Sequence, residues 1–259
     1  MVGAARLTLR EPGDGLDRVL VRAGRLVRGG AAPDYSYEPD PEGERHLHES
    51  LNHGWPCDAS REFDALWPEV TRSLDSQGLP MGRGAYGGWD DGDRGLARVV
   101  WCLTRHLHAG AVVETGVARG ITSRVILEGL ERNGDGRLCS IDLPALDTAI
   151  HAEIGAAVPV ALRGRWTYLR GTSRRRLPGL LAQLGEIDLF VHDSSHTTRN
   201  LRFELEHAWR VIRRGAIVAD DIERNAAFGA FTRSRPDVPS FVAQADDSGA
   251  MFGVVLKGF

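Results

Sequence analysis

Several short stretches of the sequence concentrate residue types that can do chemistry. The first is Glu114-Thr115-Gly116-Val117-Ala118-Arg119-Gly120-Ile121-Thr122-Ser123, an acid followed by two glycines four residues apart and then by small hydroxyl side chains. Glycines there let the backbone approach a ligand closely, and the free amides of a following helix favour an electron-rich group. Ser140-Ile141-Asp142 places a second acid 26 residues after Gly116, close to the spacing at which nucleotide-binding α/β folds carry the carboxylate that accepts from ribose hydroxyls. Gly171-Thr172-Ser173 offers a glycine turn and hydroxyls able to meet an adenine edge, and would serve equally as a plain helix cap. The turn from Gly116 to Gly120 does not follow the spacing Gly-x-Gly-x-x-Gly, which counts against a nicotinamide dinucleotide.

A second group lies further on, in His192-Asp193-Ser194-Ser195-His196 and in Asp220-Asp221. If the strands before them are neighbours, Asp193, Asp220 and Asp221 form a carboxylate cluster whose repulsion calls for a cation. Hard oxygen ligands with open positions suit Mg²⁺ or another divalent ion. Successive strand side chains face opposite ways, so Asp220 and Asp221 can share an ion only if the strand has ended or turned. The same acids could instead cap a helix or pair with Arg199 or Arg224. His196, three residues beyond Asp193, has the intrinsic basicity of a general base near neutral pH, whereas His192 reads as packing beside its strand.

These stretches need a frame that brings them together, and the sequence supplies one. From Arg94 onward, helical patterns alternate with short apolar runs: Ala111–Glu114, Arg137–Asp142, Trp166–Arg170, Ile187–His192 and Ala216–Ala219. This alternation predicts βαβ units and a parallel sheet covered on both faces. Near the end, 241–245 and 251–257 flank Asp246-Asp247-Ser248-Gly249, a hairpin signal. The expected fold class is α/β, with a seven-stranded sheet parallel except for one strand of the closing hairpin. Ligands collect at the carboxyl ends of such strands, where every stretch named above falls.

Residues 1–95 differ in texture, holding seven of the 12 prolines and 15 of the 31 glycines, so they read as loop-rich with one helix near Asp58–Leu74 on the spacing of Phe63, Leu66, Trp67 and Val70. Trp55, Trp67 and Trp89 in this half either plug a small core or line a pocket. The division expected is 1–93 as an extension, a substrate lid or oligomer contact, and 94–259 as the catalytic domain.

The chain of 259 residues is 42% hydrophobic and 26% charged with a net charge of −3, which excludes a disordered chain and gives no cationic field for nucleic acid or an anionic membrane. The expected partners are a small-molecule acceptor and a second copy of the chain, a dimer being favoured, with no nucleic acid and no membrane. Cys57, Cys102 and Cys139 are widely spaced and read as ordinary thiols, matching neither a disulfide framework nor a Cys-rich zinc site. Arg6, Arg10 and Glu11 interrupt any apolar core near Met1, so no signal peptide is read and the location expected is cytoplasmic.

Over residues 94–259 the sequence resembles the class I S-adenosylmethionine-dependent methyltransferases. Val112 to Gly120 looks like their first motif, whose backbone meets the methionine part of the cofactor; Asp142 matches the ribose acid, and Gly171-Thr172-Ser173 falls where adenine is contacted. The resemblance implies a Rossmann-like methyltransferase sheet. It implies cofactor contacts from Glu114, Thr115, Gly116, Gly120, Thr122, Ser123, Asp142, Thr172, Ser173 and Asp193.

A narrower resemblance is to cation-dependent O-methyltransferases of the catechol and caffeoyl-coenzyme A kind and to natural-product and sugar enzymes. It puts Asp193, Asp220 and Asp221 on the ion and His196 near the position of a lysine base, with Asp221 where many have asparagine. The expected activity is metal-assisted methylation of a hydroxyl on a natural product, sugar or phenolic compound. The alternatives are a metal-independent N-, S- or O-methyltransferase, a NAD(P)-dependent oxidoreductase, and a non-catalytic cofactor-binding protein.

Overall fold

The computed structural model describes residues 37–246 and 249–259; Met1, Arg6, Arg10 and Glu11, and Asp247 and Ser248 of the hairpin turn, lie outside the described residues. In chain order the elements are α1 (Gly43–Ser50), α2 (Asp58–Asp75), β1 (Gly82–Tyr86), β2 (Trp89–Asp91), α3 (Arg94–His106), β3 (Ala111–Thr115), α4 (Ile121–Asn133), β4 (Arg137–Asp142), β5 (Trp166–Arg170), α5 (Ser173–Leu184), β6 (Leu189–His192), α6 (Thr198–Val211), β7 (Gly215–Ala219), α7 (Ala227–Arg233), β8 (Ser240–Gln244) and β9 (Met251–Lys257).

The main sheet runs β5-β4-β3-β6-β7-β9-β8. Its pairings are parallel from β5 through β7, while β9 is antiparallel to both β7 and β8. This is the expected seven-stranded sheet with one reversed strand. The fourth strand starts at Leu189, two residues later than the apolar run suggests, because Ile187 and Asp188 lead into the sheet by way of backbone bonds to Val211 and Ala111. The first half carries more structure than its composition predicts, including α1 and the β1–β2 hairpin.

Strand residues alternate between two cores, the period-2 consequence of the pleat. Val112, Leu138, Leu189, Val191, Ala216, Val218, Val254 and Leu256 pack on the face covered by α1, α3 and α4. Val113, Ile141, Phe190, Ile217, Ala219 and Val255 pack on the face of α5, α6 and α7. A third cluster joins Phe63, Leu66, Val70 and Leu74 of α2 to Trp101 of α3 and Val125 of α4, so α2 lies outside the sheet-covering layer. Trp67 is packed against this cluster, Trp55 lies against His48 with ring centroids 4.6 Å apart, and Trp89 is exposed.

Register aligns the strand ends. Thr115 pairs with Ile141 on one side and His192 on the other, His192 pairs with Ala219, and Asp142 pairs with Arg170. The chain builds outward from β3 through β4 to β5, then returns to the other side of β3 for β6. The topological switch point, where a crevice opens at the carboxyl ends, therefore lies between β3 and β6.

Candidate active site

Gly116 and Asp193 stand at this switch point. Gly116 has φ +91°, and a Cβ there would sit 1.8 Å from the Asp193 carbonyl oxygen. Glycine is required both by the positive φ and by this approach. Gly120, at φ +79°, precedes α4, so the turn delivers the first amides of that helix toward the crevice.

Glu114, almost fully buried, accepts hydrogen bonds at Oε2 from Ser123 Oγ (2.6 Å) and Ser140 Oγ (2.7 Å). Trp166 Nε1 in turn donates to Ser140 (2.9 Å). Burial pushes the Glu114 carboxyl up to about 7 against the pull of the two serines, and its Oε1 is buried without a partner. Such an atom costs free energy unless something polar meets it. Asp142, at the neighbouring strand end, is half-buried and accepts a long bond from Tyr168 (3.5 Å).

The residues named from the sequence divide here. Gly116, Gly120, Glu114 and Asp142 line one end of the sheet as expected. The hydroxyls of Thr115 and Ser123 are spent on buried carboxylates: Thr115 donates to Glu204 (2.6 Å) and Ser123 to Glu114. Ser173 donates to Asn200 (3.3 Å) at the start of α5, and Thr172 is the residue before that helix. Thr122 is half-buried in the first turn of α4.

Across the switch point, Asp193, Asp220 and Asp221 are electrostatic neighbours. Strand β7 ends at Ala219, and Asp221 adopts a left-handed backbone with φ 49° and ψ 45°, so the chain has turned as a shared site for Asp220 and Asp221 requires. Burial and the charges of Asp221 and Glu114 hold the Asp193 carboxyl well above its ordinary range, while a hydrogen bond with Asp220 opposes them. Burial and the charges of Asp193 and Asp221 do the same to Asp220. His196 Nε2 lies 3.4 Å from Asp221 Oδ2. Burial and His192 push the imidazole of His196 down to about 4, and its Nδ1 is buried without a partner. The three carboxylates suit a hard divalent cation in chemistry and in unbalanced charge. Their oxygens are not among the described groups in which three or more ligand atoms all lie within 4.8 Å of one another.

Two features were missed in the sequence. Glu204 of α6, fully buried, accepts from His192 Nδ1 (2.6 Å), Thr115 Oγ1 (2.6 Å), Asn200 Nδ2 (2.7 Å) and Ser194 Oγ (2.9 Å). Burial opposes ionisation, but the adjacent His192 and the donors outweigh it and bring the carboxyl down to about 2. His192 is therefore a member of a buried polar network that braces the β6 end, and its ring meets that of His196 edge-on at 5.5 Å.

The second missed feature is a hairpin tied to the glycine turn. Arg119, buried in the glycine turn, donates to the carbonyls of Pro80 (2.9 Å) and Ala85 (2.8 Å) and pairs with Asp91 (3.3 Å) and Glu153 (2.8 Å). This pins the β1–β2 hairpin beside the crevice. Tyr86 of the hairpin has a buried, unpartnered hydroxyl; burial, with Asp142, Glu153 and Asp91 nearby, pushes it up to about 12.

Comparison with known proteins finds a match over part of the frame. Residues 113–222 match the family of methyltransferase domains, a span running from β3 through the Asp221 turn. No curated protein matches the sequence. Among solved structures, the O-methyltransferase from Bacillus cereus in complex with SAH superposes with a TM-score of 0.53 at 16% identity, covering 82% of this chain and 97% of that one. The O-methyltransferase TomG from Streptomyces achromogenes, involved in tomaymycin synthesis and solved with SAM, gives 0.53 at 14% identity, covering 86% and 100%. At these identities the likeness is one of fold. None of the described helices is long and apolar enough to cross a membrane.

Proposed function

We propose that this chain, a class I S-adenosylmethionine-dependent methyltransferase, methylates a hydroxyl of a small molecule with the help of a divalent cation on Asp193, Asp220 and Asp221. The observation that carries this reading is the placement, on either side of one switch point, of a cofactor-type strand end with an unsatisfied buried acid and of an unbalanced carboxylate cluster in contact with a histidine.

S-adenosylmethionine supplies an electrophilic methyl group, and the cation, when bound, lowers the pKa of an acceptor hydroxyl. The chain's own residues do the rest. Glu114 Oε1 and the amides around Gly116 and Gly120 receive the amino-acid end of the cofactor, and Asp142 accepts from its ribose. Tyr86, on the hairpin that Arg119 ties down at Pro80, Ala85 and Asp91, stands near Asp142 and would shield that side of the crevice. His196 Nε2 lies 3.4 Å from Asp221 Oδ2; with the ring proton on Nε2, facing that carboxylate, Nδ1 would hold the lone pair that accepts the hydroxyl proton. Burial and His192 keep this imidazole neutral at physiological pH and also place it below the basicity at which a general base works best. No covalent enzyme intermediate is involved, so positioning supplies most of the rate.

The test is calorimetry with S-adenosylhomocysteine against NAD and NADP, followed by methyl transfer to a panel of hydroxyl acceptors with and without chelator. Binding of S-adenosylhomocysteine alone, and activity lost to chelator and restored by Mg²⁺, is the expected result. Turnover unaffected by chelation overturns the metal, and binding of a nicotinamide dinucleotide overturns the whole reading.

A further inference from the structure

On the side of α3 that faces the first two helices, four side chains converge that the methyl-transfer site does not use. His48 comes from α1, Cys57 stands immediately before α2, and Cys102 and His106 sit one turn apart on α3. One ligand atom from each lies within 4.8 Å of all the others. We propose that His48, Cys57, Cys102 and His106 form a structural zinc site that fastens the N-terminal helices to the methyltransferase domain.

Geometry and protonation carry the assignment. A tetrahedral Zn²⁺ with Zn–S of about 2.3 Å and Zn–N of about 2.0–2.1 Å sets each sulfur–nitrogen edge at about 3.5 Å. Cys57 Sγ lies 3.4 Å from His48 Nε2 and 3.3 Å from His106 Nε2. His48 Nδ1 is 2.6 Å from the Glu44 carbonyl oxygen, which can only accept, so the ring proton is on Nδ1 and the Nε2 lone pair points at the cluster. This is the outer hydrogen bond that fixes a zinc-bound imidazole. The Ser60 amide donates to Cys57 Sγ (3.2 Å), a bond that stabilises a thiolate. Both rings are held from outside, His48 by Trp55 and His106 by a stack on His53 at 3.8 Å.

Cys102 and His48 are fully buried and Cys57 nearly so, so all four positions are taken by protein and none is left open for substrate, the arrangement of a structural site. The helices it joins are otherwise tied by Trp101 Nε1 donating to the Ala59 carbonyl (2.7 Å) and by the Arg98–Glu44 ion pair.

The test uses the full chain purified without chelator or affinity metal. Elemental analysis should find about one zinc per chain, falling at least tenfold in Cys57→Ser and Cys102→Ser and staying in Cys139→Ser and Asp193→Ala. Retention in Asp193→Ala separates this ion from the one proposed at the crevice. Co²⁺ exchanged into the wild-type chain should give thiolate charge-transfer bands in the near ultraviolet and tetrahedral absorption in the visible, which decides the matter even if the serine variants fail to fold. Removal of the metal should lower the melting temperature by several degrees. A wild-type chain that binds no zinc at micromolar concentration, that keeps zinc in both serine variants, or that isolates with a Cys57–Cys102 disulfide overturns the proposal.

Discussion

Glu204, on α6, and Asp193, just after β6, are carboxylates that meet the same end of the sheet, and their surroundings drive them in opposite directions. Glu204 has four donors and settles as an anion, brought down to about 2; Asp193 faces Asp221, Glu114 and Asp220 and is held well above the usual carboxylate range. Burial opposes ionisation at both. What differs is whether the chain supplies the compensating donors and positive charge. Around Glu204 it does, so this region is finished structure that fixes β6, α6 and the β3 end. Around Asp193 it does not, so the carboxyl is held toward its protonated form, and in the proposed reaction a cation supplies the balance. Buried acids thus separate into scaffold and site by counting donors, without reference to their distance from the crevice.

The comparison can be broken at its scaffold side first. Glu204→Ala leaves His192 buried without its partner and should cost about 3–5 kcal/mol of unfolding free energy, measured by urea denaturation; a change below 1 kcal/mol would show the network to be incidental. The same acid sets a pH signature. Its folded-state value is depressed from an ordinary 4.5 to about 2, so the stability it contributes is complete above pH 4.5 and is lost as pH falls through 2, an effect of about 3 kcal/mol that Glu204→Gln should remove from the acid limb.

On the site side, Asp193→Ala should reduce metal-stimulated methyl transfer by about 100-fold, the scale of a lost metal contact in charge stabilisation, while S-adenosylhomocysteine affinity stays within about tenfold. Equal damage to both would mean that the cofactor and metal halves are one site. Asp142→Ala should weaken S-adenosylhomocysteine binding by roughly 1.5–3 kcal/mol, the worth of a charge-assisted hydrogen bond, as read by calorimetry.

The smallest effect sharpens the comparison most. Glu114 is raised to about 7, so the stability tied to its proton is complete below pH 4.5 and lost as pH rises through 7. Glu114→Gln should therefore stabilise the cofactor-free chain at pH 8 by about 1–3 kcal/mol while weakening S-adenosylhomocysteine. A variant both less stable and unchanged in binding would move Glu114 to the scaffold class.

Much of this was legible in the sequence because strands β3 to β7 are short apolar runs that end in polar residues, and register then forces Gly116, Asp142, Asp193 and Asp220 into one row. The β1–β2 hairpin was not, since Gly82-Arg83-Gly84-Ala85-Tyr86 has no alternating apolar pattern and is held by Arg119 from a distant turn. Glu204 left a signal: it falls on the apolar face set by Leu201, Leu205 and Ala208, where a lone acid implies buried donors. The Cys57–Cys102 pairing is hidden by 44 intervening residues. Its halves are visible in retrospect, Cys102 and His106 on one helical face and His48 just before Cys57.

Gly116 has a further consequence. Because a single methyl group at this position would collide with the Asp193 carbonyl, the cofactor turn and the acid-bearing loop share a wall one backbone thick. A Gly116→Ala wedge would have to push them apart, spoiling the alignment between donor and acceptor even where each half still bound its own ligand. In the proposed reaction, the spacing between the two halves is thus set by the absence of a side chain.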